Sequence, residues 1–311
     1  MRRTCPGQLP QNPIQRSLLC SLHPHRALFF PLTLRTEPPL CGQHVLVARQ
    51  VVKDGRWARL WRMDTGNAVS AVPVLWLYAR GYGERGATVR SRMLAELAGL
   101  GNRGLRTAFA SIHASDLAEM LSAPRASLSS FRIPAHVLSF TRTRGFFFPG
   151  SLVSSGTWAS LTPGERCVLV AIAASAHRKD WHDEGDYANE PQPFREWLER
   201  YGDVHTFRVL TSEEEELHER PSVRRLALVS DTQLANMTGM HASSVSRSVN
   251  RLVDRDGSLL AVYSTPQQRY YLLPPAMWGD TETRIENSQY PQPIRPRWVS
   301  SFCGALSDGN T

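Results

Sequence analysis

The sequence predicts an α+β fold, mainly helical with small β-hairpins, in two tandem domains. Three observations predict it. The chain has 311 residues, which is enough for two hydrophobic cores. A pattern of apolar and glycine positions occurs twice with the same spacing. Two short apolar runs, separated by polar residues as in a β-hairpin, follow its second copy.

The repeat is the main organising feature of the chain. Its second copy lies in "LANMTGMHASSVSRSVNRLV", residues 234–253. Moving back by 140 positions gives, without a gap, residues of the same character. Two copies in register are much stronger support for a common structure than one. The matching positions are Leu234, Ala235, Gly239, Met240, Val245, Val249 and Leu252 in the second copy, and Leu94, Ala95, Gly99, Leu100, Leu105, Phe109 and Ile112 in the first.

Each copy predicts two helices joined by a sharp turn. Ser230 and Gln233 form a capping-box pattern, so the first helix of the second copy should begin there. Gly239 supplies the left-handed conformation that ends this helix. Val245 and Val249 continue as a buried stripe at helical spacing on the next helix. The pattern is therefore a helix-turn-helix.

A third helix is expected in front of each copy. In the second unit it begins at "LTPGER", where Thr162 is the N-cap, Pro163 takes the first helical position and Glu165 closes a capping box. In the first unit "PVLWLYAR", residues 73–80, has the same role. More residues separate this helix from the helix-turn-helix in the second unit than in the first, which predicts an insertion of about 46 residues in the second unit.

The insertion is visible in the charge. Residues 180–220 contain thirteen Asp or Glu and four Arg, a net charge of −9, whereas the whole chain carries +8, so the remainder carries +17. "FREWLERY", residues 194–201, predicts a short helix, and the acidic run 213–216 predicts a solvated segment. Because phosphates would repel this segment, we expect it to bulge away from a nucleic acid and to serve a protein partner.

A β-hairpin is expected after each unit. In "GSLLAVYSTPQQRYYLL", residues 257–273, two apolar runs flank a polar turn. For the first unit we expect the hairpin in "HVLSFTRTRGFFF", residues 136–148, with Arg142, Arg144 and Gly145 at its tip. The predicted domains are a Pro/Arg-rich, largely disordered segment 1–62, a first domain 63–150, a second domain 151–278 and a flexible tail 279–311.

These residues carry a family resemblance. The stretch 234–253 followed by 257–273 resembles the winged helix-turn-helix of bacterial transcription regulators. The tandem layout, with "TWASLTPGERCVLVAIA" (157–173) opening the second unit, is also similar to plasmid and phage replication initiators. The resemblance implies two tandem winged helix-turn-helix domains that bind double-stranded DNA.

The outward faces of the second helices supply the candidate contacts. With the valine stripe inward, Arg247 and Asn250 point outward, and these side chains suit guanine and adenine. Arg251 flanks that face and suits phosphate. The predicted DNA-binding residues are Ser243, Ser244, Arg247, Asn250 and Arg251 in the second unit, Arg103, Arg106 and Thr107 in the first, and Arg142, Arg144, Gln268 and Arg269 at the hairpin tips.

The predicted function is sequence-specific binding of double-stranded DNA, in a prokaryotic or mobile-element transcription regulator. The alternative is a plasmid or phage replication initiator that binds origin repeats. The net charge of +8 and the isoelectric point near 9.6 agree with an anionic partner. A three-helix core also occurs in protein-interaction domains, which is the main competing interpretation.

No enzyme chemistry is predicted. The acidic and histidine-rich stretch "HRKDWHDEGD", residues 177–186, is a nuclease or metal candidate, but it lies at the edge of a segment expected to be flexible. The five cysteines are scattered and form no CxxC pair, so we expect a reducing cytoplasm and neither cofactor nor metal. The longest apolar run is about half of what a bilayer requires, so no membrane association is expected. The oligomeric state is left open.

Overall fold

A computed structural model describes residues 33–35, 44–79, 86–122, 126–138, 144–210, 217–255 and 259–278. The helices in these ranges are α1 Gln50–Lys53, α2 Arg56–Asp64, α3 Asn67–Ala79, α4 Ser91–Leu97, α5 Asn102–His113, α6 Gly150–Ser154, α7 Thr157–Ser160, α8 Pro163–Ser175, α9 Glu184–Ala188, α10 Gln192–Tyr201, α11 Asp231–Thr238, α12 Ala242–Val253 and α13 Pro275–Trp278. The strands are β1 Thr33–Arg35, β2 His44–Ala48, β3 Ala87–Arg90, β4 Glu119–Met120, β5 Leu128–Arg132, β6 Gly145–Pro149, β7 His177–Asp180, β8 His205–Leu210, β9 Leu217–Leu228, β10 Ala261–Ser264 and β11 Arg269–Leu272.

Helices α3 and α8, each of 13 residues, pack against each other in the core. Both are buried around almost their whole circumference, which is expected for helices that are apolar on every side. The capping box predicted for α8 is present, with the Glu165 carboxylate accepting from the Thr162 amide at 2.7 Å. The helix predicted at 73–80 is also confirmed, and it begins earlier, at Asn67.

Each central helix opens a unit with the same order of elements. Unit one is α3–β3–α4–α5–β4–β5, and unit two is α8–β9–α11–α12–β10–β11 with the additional elements β7, α9, α10 and β8 between α8 and β9. Strands of unit one follow the order β3-β5-β4 and those of unit two the order β9-β11-β10. The pairs Ala87↔Phe131 and Ala227↔Tyr271 lie 140 positions apart on both strands. The repeat predicted for the helices therefore extends into the sheets.

A second repeat lies in front of the units. Lead segment one (residues 44–64) and lead segment two (residues 145–160) each contain a strand followed by two short helices. The pattern G-x-W-A-x-L occurs at 55–60 and again at 156–161, and both glycines are left-handed. Strands β2 and β6 pair antiparallel, from His44↔Pro149 to Ala48↔Gly145.

The lead segments cross over between the units. The Trp57 indole donates to the Cys167 carbonyl on α8 at 3.1 Å, and the Trp158 indole donates to the Ser70 carbonyl on α3 at 2.9 Å. Each lead segment thus bonds to the central helix of the other unit. This exchange, together with the antiparallel β2–β6 pair, relates the two halves by an approximate twofold axis.

Two sequence predictions are wrong here. Residues 44–62, expected to be disordered, are folded, and Trp57 and Leu60 are fully buried; the short strand β1 pairs in parallel with β3. The hairpin expected within 136–148 is not formed by the described part of that stretch, of which 139–143 lie outside: Gly145–Pro149 pairs with His44–Ala48, and Leu138 forms an isolated bridge with Val47 of that same strand. A run of phenylalanines indicates that a segment is a paired strand, but it does not indicate which distant strand is the partner.

The insertion is folded over the sheet of unit two. The predicted helix at 194–201 is present as α10, and the acidic run 213–216 lies outside the described residues. A separate core joins Trp181, Phe194 and Trp197 of the insertion to Val223 and Leu272 of the sheet. The segment that was expected to be flexible therefore forms an additional layer on unit two.

The main core runs through both predicted domains without a break at residue 150. It contains side chains of α3, α5, α8 and α12 together with both lead segments, and the described residues between Thr33 and Trp278 belong to one compact unit. Among the described residues, every helix is too short or too polar to cross a lipid bilayer. Residues 1–43, apart from strand β1, lie outside the described residues, and so does the whole tail 279–311.

Candidate nucleic-acid interface

The first helix and turn of unit two have the predicted geometry. The Ser230 hydroxyl accepts from the Gln233 amide at 3.1 Å, and the Gln233 side chain accepts from the Ser230 amide at 2.8 Å. Gly239 ends α11 with φ of 69°. Helix α12 then begins after His241, whose imidazole accepts from the Ser243 amide at 3.3 Å. This places α12 on the surface with its N-terminal turn fixed.

Helix α12 has two clearly different faces. Val245, Val249 and Leu252 are buried against α8 and α11. The opposite face is exposed, except that Ser244 is half-buried. Among the described residues no carboxylate pairs with either arginine of the helix, and the helix itself carries no acidic residue. The predicted contacts on the exposed face are Ser243, Arg247, Asn250 and Arg251.

Helix α5 presents the equivalent face in unit one. Leu105, Phe109 and Ile112 are buried, whereas the predicted contacts Arg103, Arg106 and Thr107 are exposed. No acidic residue lies on this helix, and within the described chain neither arginine has an ion-pair partner. Helix α5 packs on α3, and α12 packs on α8. Each arginine-bearing helix therefore packs on one of the two central helices, which also contact each other.

The hairpin of unit two is confirmed as β10–β11. Its turn is closed by Thr265, whose amide donates to the Gln268 carbonyl at 2.8 Å, and Gln268 is exposed at the tip. Arg269 has a different role from the one expected, because its guanidinium donates to both carboxylate oxygens of Asp231, at 3.0 and 2.9 Å. Tyr271 also donates to Asp231, at 3.0 Å. Burial and the nearby Asp231 carboxylate raise the pKa of Tyr271 to about 12. These bonds join the hairpin to α11.

In unit one the hairpin is β4–β5, residues 119–132, and not the predicted 136–148. Arg132 forms an ion pair with Glu119 across its base, and the residues 123–125 of its loop lie outside the described residues. Of the two arginines predicted at a tip, Arg142 lies outside the described residues. Arg144 is exposed, but its carbonyl accepts from the Arg49 amide at 2.9 Å, so it belongs to the β2–β6 pair.

Three exposed basic residues near the turn of unit two were missed. His241 caps α12, and Arg59 and Arg62 lie on α2. A Cβ atom on Gly239 would lie 3.0 Å from the Arg62 Nε and 2.9 Å from the Ala58 carbonyl, so α2 touches the turn. The repeated G-x-W-A-x-L pattern was the signal that residues 55–60 are folded.

The stretch 177–186, considered above as a metal or nuclease candidate, makes local contacts in the structure. Asp183 caps α9 by accepting from the Asp186 amide at 2.8 Å, and Asp180 pairs with Arg178. Among the described residues no group of three His, Cys, Asp or Glu side chains is placed to hold a metal ion. The carboxylates of Asp180 and Asp183 are therefore engaged in local contacts.

Comparisons with protein-family models, with curated proteins and with solved structures gave no match to this chain. Its function must therefore be inferred from its own residues.

Proposed function

We propose that this protein binds double-stranded DNA sequence-specifically through two tandem winged helix-turn-helix units, with α12 as the principal recognition helix. One observation carries the proposal. The exposed face of α12 presents two arginines without carboxylate partners among the described residues, on a helix whose opposite face is fixed in the core. A helix that carries two exposed arginines and no acidic residue within Ala242–Val253 matches the charge of the DNA backbone.

Helix α12 is proposed to lie in the major groove, which has room for one helix. Arg247 would donate to a guanine edge, and Asn250 would pair with an adenine edge. Arg251 and Ser244 flank this face and would contact phosphates. The exposed Gln268 at the hairpin tip is the candidate contact of the wing.

The approximate twofold relation of the units suggests the form of the target. If α5 and α12 both enter major grooves, one chain would bind two half-sites in opposite orientation. The residues of the two helices differ, with Arg103, Arg106 and Thr107 on α5, so the half-sites should differ in sequence. We therefore propose that a single chain binds two DNA half-sites that run in opposite directions and differ in base sequence.

The first candidate that we propose for the biological role is transcription regulation. Replication initiation is the second candidate, because two units in one packed core match the tandem layout that the resemblance to plasmid and phage initiators implied. The acidic insertion, residues 180–220, is proposed to bind a basic protein partner, since its net charge of −9 is unfavourable next to phosphates.

Selection from random duplex DNA followed by footprinting tests the proposal. Arg247→Ala should weaken binding to the selected site by about 1–3 kcal/mol and relax preference at one base pair. Arg251→Ala should weaken all sequences alike. Arg200→Ala, on the exposed side of α10, is the matched control that should leave affinity unchanged.

If Arg247→Ala and Arg251→Ala both bind the selected site as tightly as the parent protein, α12 is not the recognition helix. A perfect palindrome bound by two chains, with bases protected only by unit two, would refute the two-unit target. Directly repeated sites in the selected DNA would favour initiation over regulation.

A further inference from the structure

Helix α2 of lead segment one carries two exposed arginines next to the turn of unit two. Arg59 and Arg62 are three residues apart, so they lie on the same face of this helix. A Cβ atom on Gly239 would be 3.0 Å from the Arg62 Nε, which places this side chain beside the glycine that ends α11. Helix α2 also packs on α11. The two arginines therefore extend the surface of the helix-turn-helix, although they come from a distant part of the chain.

Neither arginine forms an ion pair within the described part of the chain. The one acidic residue of α2, Asp64, is buried, and its carboxylate accepts from the Gly66 amide at 3.0 Å and from the Ala68 amide at 2.8 Å. The neighbouring Arg56, in contrast, pairs with Asp54 at 3.1 Å. The two exposed guanidinium groups are therefore available to an external anion.

The side of α12 that lies near α2 is the side predicted to contact phosphates. Ser244, Ser248 and Arg251 are four and three residues apart, so they share one side of α12. Ser248 is buried where α12 meets the start of α8: a Cβ atom on Gly164 would be 3.0 Å from the Ser248 hydroxyl and 4.0 Å from the ring of Trp61 on α2. Helix α2 therefore lies along the edge of α12 that bears the two predicted phosphate contacts.

We propose that Arg59 and Arg62 bind backbone phosphates of duplex DNA beside the half-site read by α12, so that lead segment one supplies a further DNA contact. This inference rests on the proposed DNA binding by α12. Together with Ser244 and Arg251, the two arginines form a row of phosphate donors along one edge of that helix. Arginine suits phosphate because it donates two parallel hydrogen bonds. Contacts of this kind fix the orientation of a helix in the groove and do not read the base sequence.

The contribution is confined to unit two. The G-x-W-A-x-L repeat, extended by two residues, places Ser160 and Pro163 of lead segment two at the positions of the two arginines. The guanidinium near the turn glycine of unit one, Gly99, is that of Arg166. It is buried and donates to the Ala159 carbonyl at 2.7 Å. We therefore expect the additional phosphate contacts beside the half-site of unit two and not beside that of unit one.

The salt dependence of binding to the selected duplex tests this inference. Arg59→Gln and Arg62→Gln should each lower the slope of log affinity against log salt by about 1, because one phosphate contact contributes about 0.9. The double variant should lower it by about 2 and bind all sequences at least about tenfold more weakly at about 100 mM salt. Base preference and unfolding temperature should not change, because both side chains are exposed. Arg200→Gln, which removes one exposed arginine of α10, is the matched control.

Duplexes with one phosphate at a time replaced by a neutral methylphosphonate locate the contact. The parent protein should lose affinity when phosphates beside the half-site of unit two are neutralised, and the double variant should no longer respond at those positions. Both proteins should respond equally at phosphates beside the half-site of unit one.

The outcomes separate this inference from the proposed function. If the double variant keeps the parent's affinity and salt slope while Arg251→Ala weakens binding, α2 is not a contact and DNA binding by α12 still stands. An equal fall in slope for Arg200→Gln would indicate general charge attraction and would overturn the inference. So would a loss of affinity with an unchanged slope, which indicates a structural role. If the parent protein selects no duplex, the proposed function and this inference both fail.

Discussion

Units one and two share the same order of helices and strands but differ in what covers their sheets. In unit two the insertion packs α10 and Trp181 against the sheet and its hairpin, where Phe194 contacts Tyr263 and Tyr270. In unit one the chain passes from α3 to β3 in a few residues, and the sheet instead gains β1 in parallel. One fold can therefore carry a large acidic layer on one copy while the other lacks it.

The turn glycines of the two units also differ, in how closely neighbouring atoms approach them. Gly99 and Gly239 have similar φ values of 62° and 69°. Each lies against the carbonyl of the alanine in the other half's G-x-W-A-x-L segment. The space differs: a Cβ atom on Gly99 would be 2.5 Å from the Ala159 oxygen, whereas one on Gly239 would be 2.9 Å from the Ala58 oxygen. Unit one is packed more tightly at this point.

The largest expected effect concerns the insertion. Phe194→Ala should destabilise the protein by about 3–5 kcal/mol, since a buried phenylalanine that contacts both hairpin tyrosines is lost. Urea unfolding followed by tryptophan fluorescence measures this. Glu196→Ala, on the exposed side of α10, should change stability by no more than about 0.5 kcal/mol. Equal stability of the two variants would show that the insertion does not support unit two.

The turn glycines should respond unequally to alanine. Gly99→Ala is expected to cost about 3 kcal/mol and Gly239→Ala about 1–2 kcal/mol, because both acquire an unfavourable φ but only the first meets a backbone oxygen at 2.5 Å. At Gly99 the buried Arg166 guanidinium, whose pKa is lowered to about 10 by burial, leaves little room to adjust. Paired thermal melts compare the two variants, and equal losses would contradict the difference in packing.

The crossed tryptophans should instead behave alike. Trp57→Phe and Trp158→Phe each remove one indole N–H from a buried carbonyl of the opposite unit, at a cost of about 1–2 kcal/mol. Denaturant titration of both variants tests the approximate symmetry. A difference of more than about 1 kcal/mol between them would show that only one lead segment supports the junction.

The smallest effect depends on pH. Burial raises the pKa of Glu190, but hydrogen bonds from Lys179 and Trp181 outweigh this, so the pKa lies below its usual 4.5. A lowered pKa in the folded state gives stability that is present above pH 4.5 and lost as pH falls through the lowered value. Glu190→Gln should therefore cost less than about 1 kcal/mol near pH 7, because the pair is partly exposed. Unfolding measured near pH 7 and pH 3 should show this difference disappear, and a constant difference would exclude the ion pair as its source.

A large part of the helical framework could be predicted from the sequence. The capping boxes at Ser230 and Thr162 and the glycine turns are local features, encoded within a few residues of each other. The inward and outward faces of α5 and α12 also follow from helical spacing, so the predicted arginines are exposed as expected. The hairpin at β10–β11 was predictable because its strands are adjacent in the chain.

The sequence by itself determined the repeated helix pairs, their buried stripes and the charge of their outer faces, because these depend on contacts between near neighbours. Tertiary structure alone decided that β6 pairs with β2, that the tryptophans cross between the units, and that Arg269 binds Asp231. It also decided that α2 of lead segment one lies beside the turn of unit two. These contacts join residues dozens of positions apart, and local periodicity carries no information about which distant partner a strand or side chain will meet.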